Sequence, residues 1–155
     1  MIGYLTSTTF AITLASLAAA SSRESTAITA VAGGTAVDDY MLQLSLGSSL
    51  PTTAADKSIY IWFYGSADGT NFTEPATGSN AAITIGTNHN LLGPFSIAVS
   101  VGTLLYDLCV PSVAQIFNGN IPKKWGIVIE NQTNGALWGT EGDFKKWLTP
   151  IIFTT

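Results

Sequence analysis

Ionised side chains are scarce in this sequence. Of its 155 residues only 10% are Asp, Glu, Lys or Arg, where an ordinary globular chain carries about 25%. Six Lys and Arg against ten Asp and Glu leave a formal net charge of −4. Four of the six cations fall in two pairs, Lys123-Lys124 and Lys145-Lys146. No basic stripe is long enough to follow a phosphate backbone, so no nucleic-acid partner is expected. A single cysteine, Cys109, excludes an internal disulfide and leaves the redox compartment unread. With one histidine, His89, it cannot furnish a Cys/His zinc site. No run of 18 or more apolar residues occurs, which excludes a transmembrane helix and leaves no membrane partner expected. Nor do apolar residues at i, i+3, i+4 and i+7 persist for three turns, so no long amphipathic helix is expected.

Thr and Ser take the place of charge: the chain has 20 Thr and 14 Ser, and Thr suits the outer face of a pleated sheet. The apolar residues recur with a period of two, the mark of half-buried strands. In residues 40–47 Tyr40, Leu42, Leu44 and Leu46 point one way and Met41, Gln43 and Ser45 the other. In 58–65 Ile59, Ile61 and Phe63 share one face and Tyr60, Trp62 and Tyr64 the opposite one. Both faces are apolar there, so a central strand covered on both sides is expected. Trp125, Ile127 and Ile129 alternate in the same way. Shorter runs at 26–32, 94–100, 104–110 and 146–153 read as strands, the last demoted to an edge or bulged strand by Pro150.

The opening run FAITLASLAAASS, residues 10–22, raises the alternative of a secretion signal. No Lys or Arg precedes it, Thr13 and Ser16 interrupt it, and Phe10, Ile12 and Leu14 alternate with Thr9, Ala11 and Thr13. It reads as the first strand of a mature chain. Gly33-Gly34, Gly47-Ser48, Asp68-Gly69, Asn118-Gly119 and Asn134-Gly135 supply turns between the runs. Residues 74–90 read as a long polar loop, and 110–119 as one helical turn at most. The expectation is an all-β chain, one antiparallel, jelly-roll-like β-sandwich domain over residues 1–155.

Candidates for chemistry are few. His89 lies in a polar loop, and Cys109 in an apolar run where a thiol behaves as a small hydrophobe. Asp38-Asp39 are adjacent, so their side chains diverge on a strand. The segment Ala67-Asp68-Gly69-Thr70-Asn71 has the middle of a calcium loop without its closing Glu. Asp68, Glu74, Glu130 and Glu141 show no spacing that implies convergence across a cleft. Tyr60, Trp62, Tyr64 and Phe72 fit either a second packed layer or a sugar-stacking platform. The sequons at Asn71 and Asn131 are short patterns of little weight. No catalytic residue, metal ligand or cofactor site is expected, and the chain is read as a non-enzyme.

What stands out is the stretch from Pro75 to Pro122, where Asp107 is the only charge. Interface cores are depleted of charge, so this stretch suggests a surface covered by a partner. Residues 6–28, 57–74 and 119–137, with Arg-Glu-Ser-Thr-Ala at 23–27 and Pro122-Lys123-Lys124-Trp125-Gly126, resemble small structural proteins of tailed bacteriophages. They cover just over a third of the chain; residues 138–155, with two Trp, depart from that pattern. The resemblance implies a β-sandwich decoration (cement) protein, often trimeric, bound across capsomers of the head. It also admits a tail, neck or fibre-associated virion protein, and the aromatics leave a carbohydrate-binding domain as a further alternative. The expected partners are the major capsid protein or another virion protein and further copies of the chain, in a virion assembled in the bacterial cytoplasm. Candidate contact residues are Arg23, Glu24, Lys123, Lys124, Trp125, Trp138 and Trp147.

Overall fold

The computed structural model describes residues 1–32, 35–50, 58–100 and 102–153. Among them the chain forms β1 (Ile2–Tyr4), β2 (Thr8–Thr9), β3 (Ser21–Glu24), β4 (Ile28–Thr29), β5 (Val31–Ala32), β6 (Thr35–Ala36) and β7 (Asp39–Leu50). After these come β8 (Ser58–Ser66), β9 (Ala82–Ile83), β10 (Leu92–Ala98), β11 (Gly102–Val110), β12 (Lys124–Asn131) and β13 (Lys145–Phe153). Two short 3₁₀ turns, Ala114–Phe117 and Glu141–Asp143, are the only helical pieces among the described residues; the first falls in the stretch expected to make a turn, and the second adds to it.

The strands build two main antiparallel sheets, with β5 and β6 as a separate antiparallel pair. In sheet A the order is β1-β13-β7-β11, with β2 also on β13; in sheet B it is β10-β8-β12-β3-β9, with β4 also on β12. Setting aside the two-residue β5, β6 and β9 and merging β1 with β2 and β3 with β4 leaves eight principal strands. Numbered along the chain, they run 1-8-3-6 in one sheet and 2-7-4-5 in the other. That is the jelly-roll arrangement, an all-β sandwich of two Greek keys.

The alternation read from the sequence sets the core. Leu42, Leu44 and Leu46 of β7, Ile59, Ile61 and Phe63 of β8, and Trp125, Ile127 and Ile129 of β12 are fully buried between the sheets. Each such side chain contributes about 1.5–3 kcal/mol on leaving water. Trp125 lies nearly parallel to Phe63, centroids 6.3 Å apart, and 5.3 Å from Tyr40 of the facing sheet. Sheet B is covered on its other face as well. Tyr64 and Val128 are buried there with Leu91 beneath the long loop, against Phe72, Ala76, Ile83 and Ile85. Gly126, paired with Tyr64 across the ladder, is required at this spot: a Cβ would run into the Tyr64 ring. On sheet A, Gly47 has the same role beneath the Trp138 indole.

Two strand expectations and one turn need correction; Gly47-Ser48, expected as a turn, lie inside β7. Residues 10–17 keep the predicted alternation, with Phe10, Ile12 and Leu14 buried and Ala11 and Thr13 exposed, but form no strand. They cross from the edge of sheet A at β2 to β3 in sheet B, so no strand ladder runs alongside them. Scattered main-chain bonds, such as Thr26 N–H to the Ala11 carbonyl at 2.7 Å and Ser16 N–H to the Trp138 carbonyl at 2.8 Å, and side chains together serve their backbone. The run with Pro150 is neither an edge nor a free bulge; β13 lies inside sheet A between β7 and the N-terminal strands. Pro150 is tolerated because its carbonyl, which accepts from Leu5 N–H at 2.9 Å, shows that its missing N–H faces the gap between β2 and β1. There the ladder is already interrupted.

Candidate interaction surface

The sandwich has two unlike flanks. On one, short strands end each sheet: β1 and β2 on sheet A and β9 on sheet B. The crossing segment seals the opening between them. The Glu141 carboxylate accepts from the N–H groups of Leu14 (2.8 Å) and Ala15 (2.7 Å). Lys146 donates to the Ile12 carbonyl at 3.0 Å and pairs with the same carboxylate. Asn80 bonds Thr13 twice, at its N–H (2.9 Å) and its hydroxyl (2.8 Å). Partial burial pushes the Glu141 carboxyl upward, but the Lys146 ammonium and the two amides outweigh it and hold the group below its ordinary value.

The other flank is formed by β10 and β11, consecutive strands on opposite sheets, each hydrogen-bonded as a strand on one side only among the described residues. The turn joining them is tied by Ser100 N–H, which donates to the Tyr106 hydroxyl at 2.8 Å. β10 pairs with β8 through a register shift between Leu92 and Phe95 that brackets Pro94, two devices that discourage further pairing. β11 has neither. It pairs with β7 without a break from Gly102↔Leu50 to Val110↔Leu42, and it exposes Leu104 and Leu105 by 40% and 44%. Its one charge, Asp107, sits on the outer face of sheet A and accepts a short hydrogen bond from the Ser45 hydroxyl. Within the charge-poor sequence stretch, the loop before β10 covers sheet B and β9 pairs with β3 on the first flank; only β10 and β11 lie on this one.

The residues singled out from the sequence do not converge on it. Trp125 is core, and its indole N–H is buried with no acceptor among the described residues. Glu24 is fully buried; its carboxylate accepts from the N–H of Thr77 (2.8 Å) and of Gly78 (3.2 Å) and from the Thr77 hydroxyl. It pins the long loop to sheet B and faces away from solvent. Arg23 is half-buried on β3 between β12 and β9. Lys123 is exposed and Lys124 half-buried at the start of β12. Trp138 is half-buried over Gly47, and Trp147 is 41% exposed, cross-strand from Gln43. The exposed apolar side chains of this flank that sequence reasoning did not single out are Leu92, Leu104 and Leu105. Their signal was the missing charge around them, not any residue type.

Other constellations resolve into structure. Asp68 accepts from Asn71 and Thr70 N–H, the Asn71 amide and the Ser66 hydroxyl. These bonds, the two backbone amides first, hold its carboxyl far below the usual range and make the calcium-like segment a capped turn. Among the described residues no group of three His, Cys, Asp or Glu could hold a metal ion. Of the four aromatics considered as a platform, Tyr64 is buried, its hydroxyl donating to Ser25 O at 2.6 Å. Burial raises the Tyr64 phenol well above its ordinary value. Phe72 packs edge-on against it at 5.7 Å. Tyr60 and Trp62 remain half-exposed but meet at 63° rather than coplanar. Trp62 donates to Glu130 at 2.8 Å and meets the His89 ring at 4.7 Å. The hollow next to Glu130 and Gln132, about 360 Å³, is shallow and polar, and Gln132 already donates to Glu130 at 2.6 Å.

Among the described residues no helix is long and apolar enough to cross a membrane. No protein-family model, no curated protein and no solved structure matches this chain.

Proposed function

We propose that this chain is a non-enzymatic structural protein of a tailed-bacteriophage virion, a capsid decoration protein that reinforces the head by binding across capsomers. The observation that carries the reading is the β10–β11 flank: two edge strands of a jelly roll, with one ionised group between Leu92 and Val110. A free monomer ordinarily charges such edges to stay unpaired. A subunit built to be covered gains by leaving them bare. Jelly rolls recur in viral shells and in lectins, so the fold is compatible with the reading without proving it. The resemblance of residues 6–28, 57–74 and 119–137 to phage structural proteins supports the same reading. Weak individual contacts suffice on a shell, because many copies on a symmetric lattice multiply modest affinities.

The test is a cryo-EM reconstruction of the particle that carries the chain. Density for the sandwich at capsomer junctions, with the β10–β11 flank covered, is the expected result. Density on the tail, neck or fibres alone would move the protein to that part of the virion. Absence from the particle would reject the reading. Glycan-array binding abolished by Trp62→Ala would shift function to the outer face of sheet B instead.

A further inference from the structure

We infer that β11 is the contact between two copies of this chain, paired antiparallel about a two-fold axis at Leu105, so that sheet A continues from one copy into the next. This deepens the structural reading, resting on it for the use of this flank but not for the pairing itself. Four observations carry it. Among the strands that end a sheet, β11 is long, nine residues, and free of bulge and proline; β1, β2 and β9 have three, two and two residues, and β10 is interrupted at Pro94. A strand of two or three residues offers too short a ladder, so pairing of β11 with another copy's β1 or β9 is disfavoured. Leu104 and Leu105, on opposite faces of the strand, are both exposed on this edge. Charge selects the occupant and the register.

Self-pairing centred on Leu105 sets Leu105 against its own copy and Leu104 against Tyr106 of the other. Asp107 then lies opposite Thr103, and the two Asp107 carboxylates stand four residue steps apart, about 14 Å. Moving the axis to Tyr106 sets Asp107 against Leu105; moving it to Asp107 puts the two carboxylates face to face, which is destabilising. The Leu105 register therefore matches apolar with apolar and keeps like charges apart. It is isologous, so it closes at two copies and does not run on into a fibre. A dimer, not the trimer implied by the resemblance, is the resulting unit.

The experiment is sedimentation velocity on the full chain, together with cysteine cross-linking. The wild-type chain is expected to be a dimer. Leu105→Lys, at an exposed position that folding does not need, should weaken dimerisation about tenfold or more by setting two ammonium groups opposite each other, with an unchanged far-ultraviolet spectrum and melting curve. In a Cys109→Ala background, Leu105→Cys should cross-link on oxidation, because directly opposed Cβ atoms are close enough for a disulfide. Asp107→Cys in that background should not cross-link. A wild-type monomer or trimer, a Leu105→Lys chain that dimerises as before, or cross-linking through Asp107→Cys in preference to Leu105→Cys would each overturn the inference. A trimer would still be compatible with a decoration protein, whereas a virion lacking the chain would leave the dimer intact, so the two failures are distinguishable.

Discussion

The two flanks of this sandwich solve the same problem in opposite ways. Every β-sandwich exposes backbone donors and acceptors where its sheets end, and an unpaired edge invites another strand. On the β2–β3 side the chain covers its own edges with residues 10–17 and brings an ion pair, Glu141–Lys146, to serve the backbone of that cover. On the β10–β11 side it leaves nine residues of regular strand with one carboxylate. The self-closed flank thus carries an ion pair, while the two strands of the flank where we propose that a neighbour closes it carry one carboxylate between them. Low overall charge alone would have pointed to an insoluble chain. Its distribution points to a side meant for contact.

That contrast can be attacked from both sides. Leu14 is fully buried in the crossing segment, so Leu14→Ala should cost about 3 kcal/mol in urea unfolding through lost transfer energy and a cavity. Leu105→Ala, measured in dilute protein, should stay within about 0.5 kcal/mol of wild type. Equal losses at the two sites would mean that β11 is already packed within its own chain, and the distinction would fail. Glu141→Ala removes the acceptor of two amides and the partner of Lys146; a loss of about 2 kcal/mol is expected by the same measurement.

Acid should act on the closed flank first. The Glu141 carboxyl is held below its ordinary value in the folded chain, so its contribution is complete above the ordinary carboxylate range. It is lost as pH falls through the depressed folded value. Hydrogen-exchange protection of the Leu14 and Ala15 amides should therefore decline in acid, and Glu141→Gln should remove that decline. The smallest effect belongs to β10: Ser96→Lys, on an exposed edge position, should change unfolding stability by no more than about 0.5 kcal/mol. It should instead raise the concentration at which the protein stays dispersed.

Period-two alternation placed the core with little help from tertiary information. Leu42, Leu44, Leu46, Ile61, Phe63, Ile127 and Ile129 are buried because the pleat turns every second side chain inward whatever the neighbouring strand is. The same local rule put Phe10, Ile12 and Leu14 inside, yet it could not tell a paired strand from a crossing segment, since both are extended and half-buried. Pro150 misled in the complementary way: local chemistry says that a donor is missing, and only the neighbour across the gap says whether that donor was needed. Glu24 was a candidate surface contact because residue type carries no burial, whereas the alternation of Trp125 with Ile127 and Ile129 already pointed it to the core. The loop that takes up Glu24 arrives 53 residues later in the chain.

Composition and alternation were enough to specify a sandwich with little charge, because both are sums over local choices. Which edge stays open was decided by topology. β10 and β11 lie apart from the strands that share their sheets' other ends, and only after the two Greek keys close do these two charge-poor strands share one flank, where no further strand covers them among the described residues.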